Sequence, residues 1–236
     1  MFYYDPTMII LIPAIIFAMF AQSKVQSAFN RYSKVRNMKN LTGAQAARRM
    51  LDYNGLQDVQ INAIGGSLTD NYDPRRRVLN LSQSVYGVNS VAAVSVACHE
   101  AGHALQHAHG YAPLKLRNTI VPVVNFASRL TWPMILIGIL LIGAGSYEMS
   151  VFGNMLFNIG VIAFGAIVVF HAVTLPVEFD ASNRAIKKME ELGLVAEEDI
   201  PGSKKVLRAA ALTYVAALAT AIANLLRILA IRGRND

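Results

Sequence analysis

The chain has 236 residues, of which 54% are hydrophobic and only 16% charged, against roughly 25% charged residues in an ordinary soluble domain. This excludes a conventional soluble protein and points to a membrane protein carrying one soluble domain of modest size. The net charge of +7 comes without interleaved aromatic stacking platforms or a nucleic-acid-binding motif, which argues against a nucleic-acid partner.

The first apolar run, Met8 to Ala21, is preceded by Phe2, Tyr3 and Tyr4, aromatic residues suited to the membrane interface. Asp5 and Pro6 stand where a secretory signal would carry basic residues, so residues 1–22 read as an uncleaved transmembrane anchor with its N-terminus outside. Thr42 is a helix N-cap ahead of Gly43–Leu51, and Asn54-Gly55 ends that helix. Val59 to Ile64 and Arg77 to Leu81 then alternate apolar and polar residues, separated by turn chemistry at Gly65-Gly66 and Asp70-Asn71-Tyr72-Asp73-Pro74, which predicts a small β-hairpin or ribbon. Asn89-Ser90 opens a further helix running to about His107.

Leu130 to Gly145, extended upstream by the amphiphilic Leu116–Arg129 stretch, and Val151 to Val177 form a transmembrane hairpin across the short Ser146–Ser150 link, and Ala209 to Leu226, fenced by Arg208 and Arg227, is a fourth candidate span. The expected fold is therefore mainly α: a polytopic helical membrane protein with three to four transmembrane helices. Between residues 22 and 129 there are thirteen Lys/Arg against five Asp/Glu, a bias that puts this segment, and the one after Val177, on the cytoplasmic side of the cell membrane, next to anionic lipid. Arg227, Arg232 and Arg234 run against that rule if the fourth helix spans. Arg75-Arg76-Arg77 reads as a solvated or lipid-facing surface. A hairpin returns the chain to the side it left, so residues before 129 can meet residues just after 177.

The chemistry is concentrated in His99-Glu100-Ala101-Gly102-His103. Residues four apart on a helix share a face and lie about 6 Å apart along its axis, so His99 and His103 can converge on one Zn²⁺ ion. Glu100 beside them is placed as the catalytic base: it can take a proton from a water made more acidic by the ion and pass it to a leaving amine. Gly102 stands where a bulky residue would crowd the site. Cys98, the sole cysteine, reads as a packing residue and permits neither an intrachain disulfide nor a thiolate cluster.

A catalytic zinc site needs a third protein ligand and an open position. His107 lies about 12 Å along the helix from His99, too far to share an ion on an unbroken helix. His109 sits where a metzincin would place its third histidine, but Gln106 replaces the glycine at which such a chain turns. Glu178, in Leu175-Pro176-Val177-Glu178-Phe179-Asp180-Ala181-Ser182, directly follows an apolar span on the side that faces His99 and is the favoured candidate. His171, inside that span, either lines the path to the site, helps to hold Glu178 or hydrogen-bonds between helices. Asn154 and Asn158 read as helix-packing residues.

At these residues the chain resembles the family of neutral zinc metallopeptidases typified by YugP, membrane proteins distantly similar to HtpX-like and CAAX-prenyl-protease-like gluzincins. The likeness extends over nearly the whole chain and includes Leu41-Thr42-Gly43, Leu68-Thr69-Asp70-Asn71-Tyr72-Asp73-Pro74, the His99–His107 segment, Tyr111-Ala112-Pro113-Leu114 and Leu175–Ser182. It implies a small zincin-like catalytic domain with His99, His103 and Glu178 on Zn²⁺, Glu100 catalytic, and cleavage of protein or peptide substrates at the cytoplasmic membrane surface. The segments then divide into an anchor (1–22), a catalytic domain with the metal helix (23–115), a transmembrane hairpin (116–177), a segment carrying the third ligand (178–205) and a C-terminal helix (206–236).

Related gluzincins place an aspartate four residues after the glutamate ligand to orient a histidine, and here that position is Ser182. Tyr111, Asn183 and Arg184 are candidates for stabilising an oxyanion, and Arg77–Ser82 for an edge strand on which an extended substrate pairs. Two rival functions make different demands on the sequence. A site-2-type intramembrane metalloprotease would need its motif within a span and an Asp ligand in a Leu-Asp-Gly context, which this chain lacks. A non-catalytic scaffold or chaperone with a structural zinc would have no use for Glu100.

Overall fold

The computed structural model describes residues 6–233. The interfacial aromatics expected at Phe2, Tyr3 and Tyr4, together with Asp5 and Arg234, lie outside the described residues. A short 3-10 turn, Pro6–Leu11, leads into α1 (Ile12–Tyr32). There follow α2 (Gly43–Tyr53), β1 (Gln60–Ile64), β2 (Asn71–Asp73), β3 (Val78–Ser82), α3 (Val91–Ala108), α4 (Ala112–Ile142), α5 (Tyr147–Glu191) and α6 (Ile200–Arg232). Four helical segments are long and apolar enough to cross a bilayer, those containing α1, α4, α5 and α6. The protein is thus a mainly helical, polytopic membrane protein with a small sheet.

The chain divides into two compact units. The first comprises Met1–Met19, Leu116–Thr174 and Tyr214–Asp236. Within it α4 and α5 approach through glycines: a Cβ on Gly138 would lie 2.9 Å from the Gly153 carbonyl, and one on Gly153 2.8 Å from the Gly138 carbonyl. In lipid, where apolar contact alone gives helices no preference for each other, such close backbone packing is what holds a hairpin together. Phe157, Phe164, Ile135 and Ile228 fill the space around it. Asn158 accepts a hydrogen bond from Arg232, and Arg227 donates to the Thr7 hydroxyl at 3.4 Å, so these two late arginines are satisfied inside the unit.

The second unit comprises Phe20–Lys115 and Leu175–Thr213. Its α2 begins at the expected cap: Thr42 Oγ1 accepts from Gln45 N, and the Gln45 side chain accepts from Thr42 N, a reciprocal capping box. Gly55, with φ +77°, lets the chain leave the helix end at Asn54. Ser90 caps α3 by accepting from Ala93 N. Met50, Leu51, Leu79, Leu81, Leu105, Met189 and Leu207 are fully or almost fully buried in one core that joins α2, the sheet, α3, the end of α5 and the start of α6.

The expected small hairpin or ribbon is a three-stranded sheet. The two alternating segments do pair, but in parallel, Gln60 opposite Val78 through Ile64 opposite Ser82. The intervening residues carry the chain back across and supply β2, which pairs antiparallel with β3 from Asn71–Asn80 to Asp73–Val78. The strand order is therefore β1-β3-β2. This corrects the reading of Arg77–Ser82 as an edge strand: β3 is central and paired on both sides, and the Ser82 amide beyond β2 donates to Asp70 Oδ1 at 2.7 Å. Arg76 and Arg77 pair with Asp73 and Asp58 on the exposed surface.

Candidate metal centre

The centre forms within the second unit, where α3 meets α5. Gly102 makes this meeting possible, since a Cβ there would lie 2.6 Å from the Ala181 carbonyl oxygen, closer than side-chain atoms tolerate. Three residues before Ala181 stands Glu178, and one residue after it Ser182. Four apart, they share a face of α5 and both lie against the two histidines of α3.

His99, His103 and Glu178 bring their ligand atoms within 4.8 Å of one another. Glu178 Oε2 lies 3.3 Å from His99 Nε2 and 3.4 Å from His103 Nε2, with Glu178 only 2% exposed. These separations are longer than an ordinary N–H···O hydrogen bond. Donor atoms 3.3 to 3.4 Å apart are close enough to bind one ion at the roughly 2.0 to 2.2 Å of zinc bonds to imidazole and carboxylate.

The other imidazole nitrogens are already engaged. His103 Nδ1 is 2.9 Å from Gln106 Oε1. The Gln106 amide donates from Nε2 to the Val177 carbonyl at 2.7 Å and to Asp180 Oδ2 at 2.8 Å, so its oxygen must be the atom that faces the ring. Nδ1 is then the donor, and Nε2 of a neutral His103 presents a bare lone pair to Glu178. His99 Nδ1 is 3.2 Å from Ser182 Oγ, which can accept in the same sense. Two imidazole lone pairs and a carboxylate turned toward one point repel each other unless a cation lies between them. The donor set therefore fits Zn²⁺, with two nitrogens, one carboxylate and room in the coordination sphere for a further ligand.

Glu100 follows His99 on α3 and is partly buried. Burial raises its pKa, outweighing the lowering by His99 and His103. At His103 burial acts to lower the pKa, but the negative charges of Glu178 and Glu100 beside it overcome this and the net shift is upward. Burial pushes the neighbouring Cys98 thiol up to about 12, consistent with a packing residue in the core and not a thiolate ligand.

The remaining candidates lie elsewhere. His107 Nδ1 is 2.9 Å from the Tyr72 hydroxyl. His109 is the C-cap of α3, and its Nδ1 faces Arg184 Nη1 at 3.1 Å, away from the cluster. His171 stacks edge-on with Phe170, ring centroids 5.6 Å apart, and contributes no atom to the cluster. Arg184 is held by Asp180 and lies over the Tyr111 ring, while the Tyr111 hydroxyl reaches the Pro176 carbonyl at 3.5 Å. Asn183 is exposed. Gln106, considered only as the residue replacing a glycine, turns out to be fully buried and to tie α3 to α5. Its position three residues after His103, on the same helix face, was the available signal.

Fold and site together define a polytopic helical membrane protein with a candidate divalent-metal centre built within its second unit. The chain belongs to the family described as "Putative neutral zinc metallopeptidase", whose model matches residues 7–233. It is also 46% identical over 227 residues to the "Putative membrane protease YugP" of Bacillus subtilis (strain 168), an alignment covering 95% of this chain and 96% of that protein. No solved structure matches.

Proposed function

We propose that the protein is a zinc-dependent endopeptidase that hydrolyses peptide bonds of membrane or misfolded proteins at the cytoplasmic membrane surface, with Glu100 as catalytic base and His99, His103 and Glu178 as the metal ligands. The observation that carries this reading is the convergence of two imidazole Nε2 atoms on Glu178 Oε2 at 3.3 and 3.4 Å, with both Nδ1 atoms otherwise engaged. A zinc ion held there supplies Lewis acidity toward a peptide carbonyl and a water. His99 and His103 hold their rings in place through Ser182 and Gln106, and Glu178 contributes the negative charge. Glu100 accepts a proton at its carboxylate from the attacking water and delivers it to the departing amine. In this reading residues 23–115 and 178–205 supply the chemistry, and the apolar segments anchor it. The Lys/Arg excess between residues 22 and 129 supports a cytoplasmic active site.

The test compares purified wild type, Glu100→Gln and Glu178→Ala for bound zinc and for hydrolysis of an unfolded protein substrate. Glu100→Gln is expected to keep its zinc and to lose at least about 100-fold in rate, and Glu178→Ala to lose zinc as well as activity. Wild-type rates in Glu100→Gln would refute the mechanism.

A further inference from the structure

Within the second unit, the C-terminal half of α1 faces the first turns of α6. Phe20, Lys24, Ser27, Ala28 and Arg31 recur at helical spacing along one face of α1, and Lys205, Arg208, Ala209 and Leu212 along one face of α6. Between them is a cavity of about 420 Å³, within the range of small-molecule sites. Four of its lining residues are cations and none is an acid.

These cations are uncompensated. Lys24, Arg31, Lys205 and Arg208 form no ion pair with any described residue, whereas the adjacent Lys204 pairs with Glu190 at 2.9 Å. Two are placed by aromatic rings: Lys24 Nζ stands 5.3 Å from the Phe20 ring centroid, and Arg31 Cζ 5.7 Å from that of Tyr32. The walls are fixed at one end, because a Cβ on Gly202 would lie 2.7 Å from Tyr32 Cε1, and because Phe29 and Val206 pack together against Ala92 of α3. Four like charges gathered around a preformed cavity repel one another, and an anion relieves that repulsion.

The lining also indicates what kind of anion. Phe20, Ala28, Ala209 and Leu212 give the cavity an apolar part beside its charges. The two helices continue from it into the apolar runs Met8–Ala21 and Ala209–Leu226. A ligand with a charged phosphate and an apolar body satisfies both halves, and basic pockets between membrane helices bind lipid headgroups in this way. We infer that the α1–α6 cavity is a binding site for the phosphate headgroup of an anionic phospholipid.

The test uses the full chain in nanodiscs of phosphatidylcholine with a minor fraction of phosphatidylglycerol, transferred to detergent, with retained lipid quantified by mass spectrometry. Wild type is expected to retain phosphatidylglycerol selectively. Arg31→Gln/Arg208→Gln is expected to lower that selectivity by about 30-fold at low salt, the effect of removing two interfacial cations, while Arg75→Gln/Arg76→Gln, with the same charge change on an exposed turn, is expected to stay within about twofold of wild type. Ala209→Phe keeps all four cations and fills the cavity, so it should also lose selectivity; it decides the matter if the double arginine variant does not fold. Equal losses in the two double variants would reduce the effect to diffuse surface charge and overturn the proposal. Unchanged retention in Ala209→Phe would overturn it too, as would displacement of the lipid by millimolar inorganic phosphate, which would make this a site for soluble phosphate.

Discussion

The side chain of Gln106 makes three contacts from one buried amide: its oxygen meets His103 Nδ1, and its nitrogen donates to Val177 and Asp180 on α5. It therefore fixes both the tautomer of a candidate ligand and the distance between the two helices that carry the candidate ligands. Gln106→Leu preserves bulk and removes all three contacts. It is expected to weaken zinc binding by about 10- to 100-fold, the usual effect of losing a partner behind a metal ligand, as read by competition with a chromogenic chelator. Gln106→Glu should not restore affinity, because a carboxylate can accept from His103 but cannot donate to Val177 and sets a second negative charge against Asp180. His99, Glu100 and His103 stood out in the sequence because one helix turn brings their spacing into register. Gln106 and Ser182 did not, because their role depends on which helix packs against which, and local periodicity carries no such information.

Between elements, the tightest tolerance is the crossing of α3 and α5 at Gly102. With a Cβ only 2.6 Å from the Ala181 carbonyl, Gly102→Ala forces the helices apart, at about 1 to 3 kcal/mol for overpacking. Since Glu178 and Ser182 flank the contact, zinc affinity should fall along with the melting temperature in detergent. Gly165→Ala is the matched control: a Cβ there meets nothing within 4 Å, and alanine is the better helix former, so stability is expected to hold or rise slightly. The helix starts at Thr42 and Ser90 were legible because capping is local chemistry. The sheet was only half legible. Alternation marks a strand, but the parallel pairing of β1 with β3 depends on the path of residues 65–77, and with it the interior position of β3.

For the whole molecule, composition alone indicated membrane helices, because no soluble core needs so much apolar surface. It did not indicate their lengths: α5 runs unbroken through Val177, the expected end of the span, to Glu191. At 1.5 Å per residue its 45 residues measure about 67 Å, roughly twice the hydrocarbon core of a bilayer. The sequence offers no glycine or cap near Val177 to stop it, and Pro176 alone did not. If the proposed ion is held jointly by α3 and α5 it binds the folded chain only, and its removal costs stability. With free zinc about 1,000-fold above its dissociation constant the linkage is about 4 kcal/mol. A chelator should accordingly lower the wild-type melting temperature in detergent and leave that of Glu178→Ala unchanged.

His99 and Glu178 are 79 residues apart, and all of α4 and most of α5 are translated between them. During synthesis the two imidazoles emerge first, followed by the two helices of the hairpin, and the carboxylate comes last. A chain stalled or cleaved anywhere before residue 178 has two of the three candidate donors and lacks Glu178. A nascent or truncated copy therefore lacks part of the candidate centre, whose three donors come together only after the membrane hairpin has been made.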